Sequence, residues 1–320
     1  MAKPWTDPSS DKLLPDWPLP GVPPGVPPPP TLVLDLDGTL VATVFNGRNG
    51  FRSAKRPGLD AFLKEMNQLY EIVLFSDRIP ADEVVNKMDP NGYITHRLYR
   101  EGTKWTNGKH VKDLSCLNRP IERIVILDDN PDCFSLQPEN GIKVKKFSLE
   151  EGEYDDNDSV LPDLTDFMRA LVIQEVPDFR DAIRPYIGKD SSVIVENYNS
   201  KVAAVRSAEE AEMNKGLGGF VRRTGRRSST SQPPRRAALT SKDIVGDAPD
   251  TLSPASAAGA GSVNAGSIPL PEENRGALWK RFDVGTKGKE EELKAKSEAF
   301  HQAMMRREER QKPKEGKKDN

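Results

Sequence analysis

Cysteine is scarce in this chain: Cys116 and Cys133 are the two in 320 residues, and their spacing fits no metal-ligand pattern. Reduced, structural thiols are therefore expected, in a compartment that need not be oxidising. Long hydrophobic runs are missing too, so no stretch reaches the length of a transmembrane helix. The N-terminus carries no secretory signal, and Asp7, Asp11 and Asp16 interrupt any basic amphipathic leader. As written, the chain is expected to be soluble and without an address. Hydrophobic residues make up 36 % and aromatics 7 %, too little for a chain packed throughout. Part of it is expected to stay unfolded.

Proline, by contrast, is abundant and unevenly placed. Residues 1–30 hold 11 of the 27 prolines, a composition that favours extended polyproline II and reads as a semi-rigid linker. Trp5 and Trp17 are candidates to pack on the domain that follows. From 31 to 190 the pattern is that of a globular α/β domain. Residues 191–278 read as a low-complexity, mostly disordered linker, too poor in large apolar groups to offset the entropy of ordering. Within it, 221–236 carry six arginines and no acid but no interleaved aromatics, so no nucleic-acid partner is expected. Leu293, Phe300 and Met304 mark an amphipathic helix over 279–310 suited to docking on a partner. Residues 311–320 form a basic tail.

The domain is organised around 31–41, TLVLDLDGTLV. Leu32, Val33 and Leu34 form the continuous apolar run expected of a parallel strand buried on both faces. Its carboxyl end switches abruptly to Asp35, Asp37, Gly38 and Thr39. Val41 to Ser53 contains NGRNG, the turn signal of a hairpin flap over the strand end. Pro57 opens a helix with Leu59, Phe62, Leu63 and Met66 at helical spacing. EIVLF, 71–75, is a second buried strand that stops at Ser76 and Asp77, with a short helix near Ala81 to Met88. Asp89 to His110 reads as a small inserted sheet, with Asn107-Gly108 as its tight turn. Ile124 to Leu127 is a further strand ending at Asp128 and Asp129, and Val144 to Phe147 a final edge strand. Ser148 to Asp166 holds eight carboxylates and no basic residue. A solvated loop is expected there, with an acidic face for a basic peptide as the functional alternative. Leu164, Phe167, Met168, Leu171 and Val172 give the next helix one apolar face to close the core.

Parallel strands with right-handed crossovers bring these strand ends together along one edge. Four carboxylates gathered there repel, each close pair by roughly 1–4 kcal/mol at 4 Å. Lys112 and a divalent cation would relieve that cost, and Mg²⁺ suits oxygen ligands and a phosphate substrate. In such a site Asp35 attacks phosphorus to form an aspartyl-phosphate, and Asp37 shuttles the leaving-group proton. Thr39 and Ser76 offer hydroxyls to phosphate oxygens, while Lys112 neutralises developing charge. The candidate metal ligands are Asp35, Asp37, Asp128 and Asp129, with Asp129 foremost. The order DxDGT, strand-end Ser, Lys, DD predicts an α/β fold. It is a haloacid-dehalogenase-like doubly wound parallel sheet with a β-hairpin flap and a small inserted β-sheet, flanked by disordered N- and C-terminal segments.

This motif set resembles the FCP/SCP-type phosphatase domain, the FCP1-homology branch of the haloacid dehalogenase superfamily. The words KRPGLDAFL, YEIVLFSD, MDPNGYITHRLYREGTKWTNGKHVKDLSCLNR and LQPENGI carry the likeness further. With LLPDWPLP ahead of PPPPTLVLDLDGTLV, they are similar to the presequence receptors of the mitochondrial inner-membrane import translocase. That resemblance implies a transport protein that binds presequences and passes preproteins to the channel. Mitochondrial presequences and other translocase subunits are its implied partners, on the intermembrane-space side of the inner membrane. The same domain also implies an alternative, a Mg²⁺-dependent serine/threonine phosphatase in which Arg100 contacts the substrate phosphate. Animal and fungal receptors often carry degraded catalytic motifs, whereas DLDGT and DD are intact here. The family has a transit peptide and a membrane span, so membrane association is expected only through a segment absent from this sequence. Candidate peptide surfaces are the flap near Phe45 to Phe51, the inserted sheet near Tyr93 to Trp105, and the acidic loop.

Overall fold

The computed structural model describes residues 6–20, 22–46, 50–78, 82–149, 154–220, 244–245 and 295. Apart from 244, 245 and 295, the expected C-terminal linker beyond 220, the amphipathic helix and the basic tail lie outside the described residues, as do Trp5 and the tip of the NGRNG turn.

Five parallel strands make the central sheet, in the order β5 (His96–Leu98), β4 (Glu71–Phe75), β1 (Thr31–Leu34), β8 (Ile124–Asp128), β9 (Gly141–Lys143). Every residue of β1, β4 and β8 is buried, which is why each reads as an unbroken apolar run. Val33 stands in register with Val73 on one side and Ile126 on the other. The chain winds outward from β1 in both directions, so the sheet reverses there, and the crevice past its carboxyl end is the natural ligand position. The flap is the antiparallel pair β2 (Val41–Asn46) and β3 (Gly50–Lys55). A second hairpin, β6 (Lys104–Thr106) with β7 (Lys109–Val111), turns through Asn107 at φ 53° and Gly108 at φ 77°, the positive angles of a type I′ turn.

Two strands differ from expectation. The last edge strand is Gly141–Lys143, not 144–147. The Phe134 ring lies so close over Gly141 that a Cβ would stand 2.1 Å from it, which fixes the pairing at the glycine. The second is β5, which joins the main sheet beside β4 and leaves only the β6–β7 hairpin as the insertion.

The two faces of the sheet are covered differently. Five helices pack on one: α1 (Leu59–Met66), α2 (Asp82–Met88), α3 (Val160–Ile173), α4 (Phe179–Ile183) and α5 (Ser191–Phe220). Leu59, Phe62, Leu63 and Met66 of α1 are all buried, each contributing about 1.5–3 kcal/mol as an upper bound. On the other face, among the described residues, Val33, Val73, Phe75, Ile124 and Ile126 meet 3₁₀ turns at Leu114–Leu117, Ile121–Arg123 and Pro131–Phe134, together with Leu13, Leu14 and Leu98. Residues 6–30, expected as a linker, are therefore held along the domain. Leu14 and Leu19 are buried, the Leu13 amide donates to the Cys116 carbonyl at 2.8 Å, and the Arg119 guanidinium sits 5.9 Å from the Trp17 ring centre. The leucines set among the prolines supply burial that a free spacer lacks.

Two further boundaries move. The expected linker begins instead as helix α5, because Ile194 is buried and Tyr198 packs edge-on against Phe167 of α3 at 5.9 Å. Ile244 is buried in the same cluster. The acidic segment is not solvated throughout, since α3 starts within it at Val160 and Asp158 is buried against Arg56.

Candidate active site

Asp35 is the first residue past β1, and its amide donates to the Leu127 carbonyl of β8 at 3.0 Å. Asp128 closes β8 and Asp129 follows it. One carboxylate oxygen from each of Asp35, Asp128 and Asp129 lies within 4.8 Å of the others. Lys112, with 0 % exposure, stands among them and donates to Asp35 Oδ1 and Asp128 Oδ2, both at 2.6 Å. Its own amide is tied to the Cys133 carbonyl at 2.7 Å. Gly38 has φ +93°, and a Cβ there would stand 2.8 Å from Asp129 Oδ2. Only glycine both adopts that angle and leaves the carboxylate its place. Thr39 is fully buried, and its hydroxyl accepts from the Asp129 amide at 3.1 Å.

Lys112 thus pairs with two of the three carboxylates, while Lys146 exerts the larger cationic pull on Asp129. Burial raises Asp128 and Asp35 adds to the rise, against the pull of Lys112, so Asp128 is pushed up to about 7. Asp129 is raised as well, by burial and then by Asp35. Burial works to lower Lys112, but the charges of Asp35 and Asp128 more than reverse it. An excess of negative charge on oxygen donors is the chemistry that a hard divalent cation satisfies. The donor set fits Mg²⁺.

Asp37 does not join the three. Its Oδ2 is 3.1 Å from Arg78 Nη2, and its Oδ1 is buried with no partner among the described residues. Ser76 is buried at the end of β4, next to β1, with its hydroxyl accepting from the Arg78 amide at 3.2 Å. Arg100 is exposed at the same sheet edge, its Nε donating to the Asp77 carbonyl at 2.7 Å. Burial pushes the Cys133 thiol up to about 12, so it stays protonated as a structural thiol should. Sequence reasoning missed Arg78 and Arg56. Arg78 stands two residues past a strand-end Ser76, as Asp37 stands two past Asp35, and that parallel was a usable signal. No sequence signal marked Arg56.

With this geometry in hand, residues 30–180 match the model of the NLI interacting factor-like phosphatases. The chain is also similar to proteins called mitochondrial import inner membrane translocase subunit TIM50. The one from Phytophthora infestans is 47 % identical over 222 residues, covering 69 % of this chain and 54 % of its own. The mouse protein is 35 % identical over 214 residues, covering 65 % and 58 %. The chain therefore spans little more than half the length of these curated relatives. Among solved structures, Fcp1, an essential RNA polymerase II CTD phosphatase, aligns at 22 % identity and a TM-score of 0.32, over 46 % of this chain and 50 % of its own.

Proposed function

We propose that this protein is a presequence receptor of the mitochondrial inner-membrane import translocase, taking up targeting presequences and passing preproteins to the channel. The identity with the oomycete translocase subunit carries this reading. Its partners are then presequences and other translocase subunits, and its place is the inner membrane, facing the intermembrane space. Among the described residues no helix is long and apolar enough to cross a membrane, and attachment is assigned to none of them. Presequences are basic amphipathic helices, which need apolar surface with an acidic rim. Phe45 on the flap is 62 % exposed and Trp105 on the β6–β7 hairpin 44 %. Asp155, Asp163 and Glu196 line a groove of about 780 Å³ between the acidic segment and α5. A fluorescent presequence peptide titrated against the protein is expected to bind saturably, more weakly as salt rises, and more weakly still to Phe45→Ser. Absence of binding at low salt would overturn the reading.

A second reading is favoured by one observation, the intact set of Asp35, Lys112, Asp128 and Asp129. On this reading the protein is a Mg²⁺-dependent serine/threonine phosphatase. A cation held by Asp35, Asp128 and Asp129 supplies positive charge for the phosphate oxygens when bound. Asp35 attacks phosphorus and takes the phosphoryl group as an acyl phosphate, while the P–O bond to the serine or threonine breaks. Asp37, beside Arg78, gives its proton to the departing oxygen; water then attacks the phosphorus, Asp37 takes its proton, and the Asp35 O–P bond breaks to release phosphate. Lys112 balances charge at Asp35 and Asp128, and Arg100 and Ser76 bind phosphate oxygens. Wild type should release phosphate from a phosphopeptide with Mg²⁺ and Asp35→Asn should not. A wild type that shows no turnover sinks this reading and leaves the first intact.

A further inference from the structure

Arg56 heads the largest side chains that are fully buried in the molecule. A buried arginine must have its charge and its donors answered. Here they are answered from three separate segments. Nε and Nη2 each donate to one oxygen of Asp158 at 2.8 Å, a bidentate pair across 102 residues of sequence. Nη2 also donates to the Lys145 carbonyl at 2.8 Å, and Nη1 to the Thr39 carbonyl at 3.1 Å. The Arg56 amide donates to the Leu40 carbonyl at 2.9 Å. Its guanidinium lies 5.5 Å from the ring centre of Phe147, whose own amide donates to the Gly38 carbonyl at 2.7 Å.

Three successive carbonyls at the end of the DxDGT loop are thus held: that of Gly38 by the Phe147 amide, that of Thr39 by the Arg56 guanidinium and that of Leu40 by the Arg56 amide. Those residues are the ones that seat Asp129: Gly38 makes room for its carboxylate, and Thr39 accepts from its amide. We propose that Arg56, clamped by Asp158, is a positioning residue for the carboxylate site, setting Gly38–Leu40 and through Thr39 the backbone of Asp129. The proposal builds on the cation-binding reading of that site, but the placement of the loop is independent of it. Only the planar fork of arginine reaches two carbonyls and a carboxylate together, so lysine should not replace it.

Two measurements on Arg56→Lys test this. Hydrogen exchange is expected to quicken about tenfold at the Asp129 amide and over 38–41, with β4 and α1 unchanged. Mn²⁺ affinity, read by electron paramagnetic resonance well below the melting temperature, is expected to fall about tenfold, the scale of an outer-shell contact. Asp158→Asn should move both the same way by less, because its amide oxygen still accepts one bond, and it carries the test if Arg56→Lys fails to fold. Exchange that is unchanged at 38–41, or that quickens evenly over the whole domain, overturns the proposal. If wild type binds no Mn²⁺, the cation reading falls, and the exchange pattern alone decides the role of Arg56.

Discussion

The central sheet buries a charge cluster at each end, and the two are balanced in opposite ways. At the amino end, Glu71 opens β4 and receives Arg119 at 2.7 and 2.8 Å, with His96 Nε2 at 3.0 Å and the Thr31 hydroxyl at 3.5 Å. Burial works to raise Glu71, but the hydrogen bonds from His96 and Arg119 outweigh it and hold the carboxyl below its ordinary range. At the carboxyl end, Lys112 pairs with Asp35 and Asp128 and Lys146 acts on Asp129, yet Asp128 and Asp129 are still pushed upward. Both clusters are buried, and both pair acid with base. What separates the two clusters is therefore the balance of charge: the amino end is matched, while the carboxyl end holds more carboxylates than cations.

The hardest blow to this contrast is to remove a partner at each end. Arg119→Met leaves Glu71 charged and buried, and should cost about 3–5 kcal/mol of stability by urea melt. Asp129→Asn relieves repulsion at the other end, and should change stability by no more than about 1 kcal/mol while removing any stabilisation by Mg²⁺. Equal losses from the two variants would dissolve the distinction. Next comes pH. Asp128 holds its proton to about 7 when folded, whereas the unfolded chain releases it near 3.8. The unfolded state thus binds fewer protons in between, and stability from this group falls as pH rises from about 4 to 7. Glu71 runs the other way: its stabilisation is present above 4.5 and is lost as pH falls through its lowered folded value. Melting temperatures against pH should flatten between about pH 4 and 7 in Asp128→Asn and below about pH 4.5 in Glu71→Gln. Mg²⁺ at a hundred times its dissociation constant should restore about 2.7 kcal/mol at pH 8 in wild type alone. In Gly38→Ala the left-handed angle and the Asp129 contact together should cost about 1–3 kcal/mol. In that variant Mg²⁺ should raise the melting temperature less than it does in wild type.

Much of the carboxyl end was legible in the sequence because strands buried on both faces leave no alternation to confuse them. LVL, IVLF and IVIL announce themselves, and the polar residues that end them fall at the sheet edge by topology alone. The amino end was not legible. Glu71 and Arg119 are 48 residues apart, and nothing in the sequence pairs the carboxylate that opens a buried strand with that arginine. Asp158 was hidden for a related reason, as one of eight carboxylates in a run whose other members gave it no distinguishing mark. Short edge strands escaped as well: HRL and GIK carry too few apolar residues to signal a strand. The α5 boundary was obscured by the low-complexity composition that follows it. Asp37 was expected among the ligands from its spacing, but Arg78 claims its carboxylate. That choice is made by a side chain from another strand end.

Arg119 reaches beyond Glu71 and holds the Pro15 carbonyl at 2.9 Å, just after Leu14 enters the face opposite the helices. A recombinant fragment trimmed to residue 31 would look tidy on paper yet lose its lid of leucines. Phe75, Leu114 and Leu117 would meet water, and neighbouring copies would stick together through them. The smallest piece worth expressing starts ahead of Leu13.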